Sequence, residues 1–362
     1  MAKQSLLTEL HRRHGAVFVE QEGWQLPDHF GDTGAEYRSV RSAAGLYDLS
    51  HRALLQFTGT DRVSFLQGML SNDVGALKMF DGQQATILTQ QGKIIADVRV
   101  LCAMNSLYLD FWEPLKEKIV AHLNRYLVAD EVEINDPNDQ WKMLSLQGPR
   151  SQTILDELFA NTELPAQPNQ HAMVQFDGAP ICLVRADHSG AGGFDLIVQN
   201  TQLQPVAQRL AQLSAAWVGA RAQNILRIEA GIPRFGVDFN EDTLLLEVGL
   251  DNSYSYTKGC YLGQEVVERI RSRGHVNRKL CGLLLDGNTP ARAGDAILAG
   301  DNEVGKITSS VVSFALNRPI ALGYIHKNFW SLGTKLVVRH QDASISAAVA
   351  ALPFTAPAPA SS

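Results

Sequence analysis

The sequence predicts an α+β protein that ends in a small β-barrel. Two patterns indicate this. Up to about residue 275, helical spacings of apolar residues alternate with short strand-like runs. From Lys279 onward, short apolar runs separated by turns replace the helices, as is typical of small barrels. We therefore expect a domain boundary near residue 275.

The segment 51–139 contains helix and strand signals in close succession. Apolar residues share one helical face in 60–74, where Thr60 or Asp61 is placed to cap the helix. Two strands are expected in 83–104, joined by a turn at Gln91 and Gly92. A third strand at 106–112 and a helix at 113–127 follow. This pattern predicts a compact α+β unit.

The segment 140–274 alternates in the same way. Strands are expected at 141–149, 179–187 and 194–199, and helices directly after 149, at 201–217 and at 220–231. After it, the predicted barrel strands are 279–285, 295–300, 303–314, 319–325 and 335–340. The last residues, 355–362, are small and proline-rich, and we expect them to form a flexible tail.

Composition excludes several classes of protein. The chain has 362 residues, 45% hydrophobic and 19% charged, which is ordinary for a soluble protein of two or three domains. A net charge of −6 gives no bulk reason to expect direct nucleic-acid binding. No apolar run is long enough for a membrane span or a signal peptide, so we expect a cytoplasmic protein. The four scattered cysteines form no CxxC pair, which predicts reduced thiols and no metal site.

The stretch HSGAGGFD, residues 188–195, places three glycines between two predicted strands. The plainer interpretation is a hairpin turn that needs positive φ. The functional interpretation is a loop that lets backbone approach a flat ligand, with Asp195 at its edge. A carboxylate there suits a ligand with a pair of N–H donors, such as a pterin or guanine edge. The stretch is not GxGxxG, which argues against a dinucleotide site.

Asp97 stands inside the apolar strand that follows Gly92. It either faces solvent or is a carboxylate in a pocket that holds or polarises an amine. Arg221 and Arg227 lie on the predicted helix 220–231. Each is either a salt-bridge partner or a ligand contact.

The stretch KGCYLGQEVVERIRSRG, residues 258–274, holds a lone cysteine before a charged helix. Cys260 is either a small buried hydrophobe or a reactive thiol. The reactive interpretation rests on Lys258 and on the start of the helix, both of which favour a thiolate. A basic strip follows, for which a solvated helix face is the plainer explanation: Arg269, Arg271, Arg273, Arg278 and Lys279.

Residues 23–74 resemble the N-terminal region of the glycine-cleavage T-protein, the tetrahydrofolate-dependent aminomethyltransferase. The likeness covers nearly the whole chain and continues through GKIIADV, LQGP, SGAGGFD, GARAQNILRIEAGIPRFG and GKITSSVVSFALNRPIALGYI. It implies three domains in a ring around a central folate site, with a C-terminal β-barrel. In this chain the domains would be 1–50 with 140–274, the inserted unit 51–139, and 275–354.

The eight residues KGCYLGQE, 258–265, depart from the T-protein pattern. They resemble the signature of the YgfZ family, folate-binding proteins that assist iron–sulfur enzymes. This resemblance implies a folate-binding protein that supports assembly or repair of iron–sulfur enzymes, including those that modify tRNA. Its partners would be such enzymes or their assembly proteins, and Cys260 with Lys258 would be its functional residues.

The T-protein resemblance assigns further roles by position. Asp97 matches the catalytic aspartate near the folate amine, Asp195 stands where a glutamate grips the pterin, and Arg221 matches a folate-site arginine. Tyr47 and Phe194 complete the expected tetrahydrofolate-binding set.

Two departures accompany these matches. Ala191 replaces a usual glutamate, and Ala96 with Asp97 leaves one carboxylate where T-proteins have two. The alternatives to a YgfZ-type role are therefore a true aminomethyltransferase, or a folate-binding scaffold in which Cys260 only packs.

Overall fold

The computed structural model describes residues 2–160, 162–340 and 343–355. It confirms the predicted α+β fold with a C-terminal barrel. Part of the predicted tail, 356–362, lies outside the described residues. The α-helices of six or more residues in the described part of the chain are Thr8–Arg13, Thr33–Ser42, Arg62–Met69, Lys116–Asn124, Ser151–Leu158, Asn200–Gln212, Ala220–Glu229 and Gln264–Arg273.

A three-stranded sheet precedes the predicted α+β units. The strand Trp24–His29 lies at its centre, parallel to Lys3–Gln4 and antiparallel to Val17–Gln21. These strands were not predicted. Their residues alternate only weakly between apolar and polar, and the two outer strands are mostly exposed.

A six-stranded sheet forms the middle of the molecule. Its strands, in spatial order, are His171–Phe176, Ala179–Arg185, Gly193–Gln199, Trp141–Gln147, Gly45–Asp48 and Ala216–Trp217. The predicted helix 201–217 stops at Gln212, because Ser214 takes a positive φ of 70° and the chain then forms the last strand of this sheet.

A five-stranded sheet carries the unit predicted at 51–139. Its order is Gly82–Leu88, Ile94–Cys102, Leu107–Trp112, Arg52–Thr58 and Glu133–Asn135. The helix predicted at 60–74 is shorter, Arg62–Met69, since Leu70 already bridges to Ile87. Asp61 precedes the helix but does not cap it through its side chain, which accepts instead from the Glu131 amide.

A closed six-stranded barrel ends the chain. Its strands are Arg278–Leu285, Arg318–His326, Asn302–Ser313, Ala296–Ala299, Lys335–His340 and Ala343–Ala350. The last strand was not predicted, because it consists mostly of alanines and serines and has only two β-branched apolar residues, Ile345 and Val349. It nevertheless closes the barrel by pairing with both Lys335–His340 and Arg278–Leu285.

Candidate functional site

A chain of buried charges joins the five-stranded sheet to the six-stranded sheet. Arg52 Nε lies 2.7 Å from Asp110 Oδ1, and Arg99 Nη2 lies 2.6 Å from Asp110 Oδ2. The same guanidinium reaches across to the second sheet, where Arg99 Nη1 lies 2.7 Å from Asp195 Oδ2. A guanidinium presents several N–H donors in a fixed plane, so Arg99 can hold two carboxylates at once in a site away from water.

Asp97 lies on the same strand as Arg99, two residues earlier, and so on the same face of the sheet. Its side chain is partly exposed and makes no salt bridge within the described residues. Burial raises the pKa of Asp97 above its ordinary value, the positive charge of Arg52 opposes this, and Asp110 adds to it. A raised pKa brings a carboxyl group closer to neutral pH, which suits it to general acid–base catalysis.

Asp195 is 0% exposed, and two side chains, His188 and Arg99, hold its carboxylate. His188 Nε2 lies 2.9 Å from Oδ1 and 3.1 Å from Oδ2, while Arg99 holds Oδ2 from the other side. Burial alone would raise the pKa of Asp195, but His188, Arg99 and the Ser145 hydroxyl hold it well below its usual range. The carboxylate is therefore ionised and already occupied, so a ligand would reach it only by displacing a partner.

The glycine-rich loop before Asp195 is a tight hairpin. Gly190 and Gly192 take φ values of 72° and 74°, where a side chain would be strained. The Asp187 carboxylate accepts from the amides of Ser189 and Gly190 at 2.9 and 2.8 Å. The backbone therefore forms the hairpin turn with positive φ that the sequence indicates. A ligand contact by this loop stays a prediction.

A buried polar cluster lies next to the site and was missed by the sequence analysis. His11 Nε2 lies 2.8 Å from Asp48 Oδ2, and the hydroxyls of Ser5 and Ser50 donate to the same carboxylate at 2.5 Å. His11, Asp48 and His51 line a cavity with a volume of about 20 Å³. Burial lowers the pKa of His51 to about 4, so its imidazole is neutral near pH 7. The signal was the polar run Asp48 to His51 between two strands.

Tyr47 and Phe194 do not line an open pocket. Both are fully buried, Tyr47 with Tyr37 and Val40 in one apolar cluster and Phe194 in another. The guanidinium of Arg185 covers the Phe194 ring, 4.6 Å from its centroid. Contact of either residue with folate stays a prediction, and it would require these cores to open.

Arg221 lies at the surface end of the helix Ala220–Glu229. Its side chain is 61% exposed, and its Nε lies 2.6 Å from Asp28 Oδ2. Arg227, in contrast, is buried and pairs with Asp238 at 2.6 Å. The structure therefore gives both arginines salt-bridge partners, and a folate contact from Arg221 stays a prediction.

Lys258 was expected to stabilise a thiolate at Cys260, but its ammonium is bound elsewhere. Its ammonium donates to the backbone carbonyls of Gln67, Leu70 and Asn72 at 2.6, 2.7 and 2.8 Å. Burial lowers the pKa of Lys258 to about 8, whereas the three carbonyls favour the charged form. An ammonium has three N–H donors, and all three are used here. Lys258 therefore anchors its loop to the backbone of Gln67, Leu70 and Asn72 and does not stabilise a thiolate.

Cys260 is exposed, although its neighbours Lys258 and Tyr261 are buried. The helix begins only at Gln264, after Gly263 in a left-handed conformation. A side chain at Gly263 would lie 2.6 Å from the Thr89 carbonyl oxygen, so this glycine permits close docking on the strand pair below. The loop is thus fixed at both ends with the thiol outside, which contradicts the interpretation of Cys260 as packing only.

The basic strip is largely neutralised by its own surroundings. Arg269 pairs with Glu265 at 2.5 Å, and Arg271 lies 3.6 Å from Glu268. Farther along, Arg278 pairs with Glu247. This supports the plainer interpretation, a solvated helix face.

The described residues contain neither a metal-binding cluster nor a membrane-spanning helix. Within 2–160, 162–340 and 343–355, no three His, Cys, Asp or Glu residues are grouped as a metal ion would need. No helix in this part of the chain is long and apolar enough to cross a membrane.

Comparisons with known protein families agree with the observed α+β fold and its C-terminal barrel. Residues 7–258 match the model of the GCVT N-terminal domain, and 278–355 match the glycine cleavage T-protein C-terminal barrel domain. An aminomethyltransferase of Thermus thermophilus is 30% identical over 97% of this chain and 99% of its own length. That of Rubrobacter xylanophilus is 29% identical, with coverages of 97% and 94%.

A solved structure shows the same fold. The glycine cleavage system aminomethyltransferase T from Bartonella henselae superposes with a TM-score of 0.91, at 25% identity and 99% coverage of both chains. The two family models together span most of the sequence. The chain belongs to the glycine-cleavage T-protein family, whose members bind tetrahydrofolate.

Proposed function

We propose that this protein transfers an aminomethyl-type one-carbon unit to tetrahydrofolate. The observation that carries the proposal is Asp97, a partly exposed carboxyl whose pKa burial raises, beside a network of buried charges. Full-length relatives that are aminomethyltransferases support it further.

The polar side chains of the site suit a reduced folate. Asp195 offers two carboxylate oxygens that suit the paired N–H donors of a pterin, once a partner is displaced. Asp97 would give a proton to the amine, which departs as ammonia, while the carbon–sulfur bond of the donor breaks and releases the lipoyl thiol. The two protons needed by these leaving groups come from the two folate nitrogens that bond to the carbon. Tetrahydrofolate supplies a nucleophilic nitrogen that accepts the one-carbon unit. Arg52 keeps Asp97 from becoming too weak an acid, because its positive charge opposes the effect of burial.

The test is formation of methylenetetrahydrofolate from an aminomethyl-lipoyl donor. We expect activity from the wild type and a loss of roughly 10²- to 10⁴-fold in Asp97→Asn, the range for a general acid or base. Asp286→Asn is the matched control, since Asp286 is an exposed aspartate on the barrel. No product with the wild type would contradict the proposal.

A second function, of the YgfZ type, is favoured by one specific observation. The KGCYLGQE loop is anchored through Lys258 and exposes the Cys260 thiol. An exposed thiol on a fixed loop can react or briefly ligate iron, which packing alone would not require. On this proposal the protein supports the assembly or repair of iron–sulfur enzymes, including those that modify tRNA.

Complementation separates the two functions. Cells lacking their own YgfZ-type protein would receive wild type, Cys260→Ala, Asp97→Asn or the control Cys102→Ala, and the activity of a [4Fe–4S] tRNA-modifying enzyme would be measured. Rescue lost only in Cys260→Ala would favour the iron–sulfur role. No rescue by any variant, with transferase activity in vitro, would favour one-carbon transfer.

A further inference from the structure

We propose that His188 is a displaceable cap on Asp195, and that a heterocycle with two adjacent N–H donors takes its place. The amidine edge of a pterin has this chemistry. The inference rests on the proposed folate binding and deepens it, since it names the side chain that the ligand must move.

The accessible side of Asp195 is the histidine side. Asp195 itself is 0% exposed, and Arg99, its other partner, is buried as well. The side chain of His188 is 33% exposed. Among the described partners of the carboxylate, His188 alone reaches the surface, so its departure would open the path from solvent.

The oxygens that His188 covers are those that a paired donor needs. Its Nε2 lies 2.9 Å from Oδ1 and 3.1 Å from Oδ2 of Asp195, close to both oxygens at once. Each carboxylate oxygen has two acceptor sites, and Arg99 uses one of those on Oδ2. Removal of His188 therefore leaves both oxygens able to accept parallel N–H bonds, while Arg99 still compensates the charge.

The backbone can stay in place while the side chain moves. The His188 amide donates to Gln147 Oε1 at 2.8 Å, and the Asp187 carboxylate fixes the next two amides. Rotation of the imidazole alone would uncover Asp195.

A cap of this kind reduces apparent affinity, because the ligand must replace an existing bond. Hydrogen bonds to charged groups contribute about 1.5 to 3 kcal/mol, which corresponds to roughly ten- to a hundred-fold in binding. Removing the cap should therefore tighten binding, which is opposite to the effect expected for a residue that contacts the ligand.

Titration calorimetry with 5-formyltetrahydrofolate, a stable reduced folate, tests this. We expect His188→Ala to bind at least about tenfold more tightly than the wild type. His188→Gln should stay close to the wild type, since its amide can still donate to Asp195, and it also controls for folding. Asp195→Asn should lose most binding. A 2-desamino-2-methyl folate analogue, which lacks one donor, should bind weakly to every variant.

The outcomes distinguish the cap from folate binding itself. Unchanged or weaker binding by His188→Ala would overturn the cap and leave folate binding intact. Unchanged binding by Asp195→Asn would also overturn it, because the ligand would then be held elsewhere. No binding by either the wild type or His188→Ala would overturn both the cap and the proposed function.

Discussion

Arg99 and Asp195 connect two sheets through a buried ion pair, with Arg99 Nη1 2.7 Å from Asp195 Oδ2. The two side chains are 3% and 0% exposed. The guanidinium also holds Asp110, so one cation compensates two buried carboxylates. Arg99 therefore links the strand that carries Asp97 directly to Asp195.

Replacement of Arg99 by Met should destabilise the fold strongly. It would leave Asp110 and Asp195 buried without their shared cation, and breaking a buried pair costs about 3 to 5 kcal/mol. Urea unfolding measures this. Arg221→Met is the control, because the Arg221 side chain is 61% exposed and its pair with Asp28 should contribute about 1 kcal/mol or less. Equal effects of the two variants would refute the assignment.

Lys258→Met should loosen the loop that presents Cys260. Three carbonyls would lose their donor, at a cost of roughly 2 to 4 kcal/mol in the free energy of unfolding. Amide hydrogen exchange should rise across 258–264. Lys258→Arg should rescue only in part, since a planar guanidinium cannot point three donors at converging carbonyls. Lys93→Met, in an exposed pair, should leave exchange in this loop unchanged.

The four thiols should react in an order set by burial. Cys260 is exposed, whereas burial raises the pKa of Cys182 to about 12 and that of Cys281 to about 11. With a disulfide reagent at pH 8, we expect Cys260 to react first and Cys182 only after unfolding. Cys260→Ser should remove the fast phase and change stability by less than about 0.5 kcal/mol. A fast phase that persists in this variant would assign it to another thiol.

Local patterns predicted much of the fold, while contacts distant in sequence were out of reach. The strands on either side of Gly92 follow from apolar alternation and one turn residue. The role of Lys258 could not be predicted, because its three acceptors lie more than 180 residues earlier in the chain. Proximity to Cys260 in sequence suggested a partnership that the folded chain does not form.

Parts of the site left a signal that was available in the sequence. Arg99 interrupts an apolar strand, and a buried arginine requires a carboxylate partner. The partners themselves, Asp110 and Asp195, come from different strands, and the second lies in another sheet. The pattern could therefore have flagged the ion pair but could not have named both carboxylates.

Stability should fall in mild acid because of His171. Burial, and to a lesser extent the positive charge of Arg99, lower the pKa of His171 from 6.5 to about 4. The unfolded chain therefore binds a proton that the folded chain does not, so stability is lost as pH falls from 6.5 towards 4. The full shift corresponds to roughly 3 kcal/mol, at 1.36 kcal/mol per pKa unit.

His171→Gln should reduce that acid loss, as read from urea midpoints at pH 7 and pH 4.5. His14→Gln is the control at an exposed histidine and should keep the wild-type dependence. Part of the loss should remain in His171→Gln, because burial also lowers the pKa of His51 to about 4. Identical pH profiles for wild type and His171→Gln would show that His171 protonates equally in both states.

Asp97→Asn should make the protein more stable and less active. Burial raises the pKa of Asp97, so the folded state disfavours its ionised form. Above the ordinary pKa of the unfolded carboxyl, ionised Asp97 therefore lowers stability, and this penalty is fully present once pH exceeds the folded value. An amide removes the charge with little change of shape.

The measurement is the urea midpoint of wild type and Asp97→Asn at pH 8 and at pH 3. A higher midpoint for the variant at pH 8, with no difference at pH 3, would show that the cost belongs to the ionised carboxylate. Together with the loss of transfer, this would mark Asp97 as a residue kept at the expense of stability, as functional groups often are. A lower midpoint at pH 8 would instead mean that the carboxylate stabilises the fold through Arg52, and Asp97 would then be a structural residue.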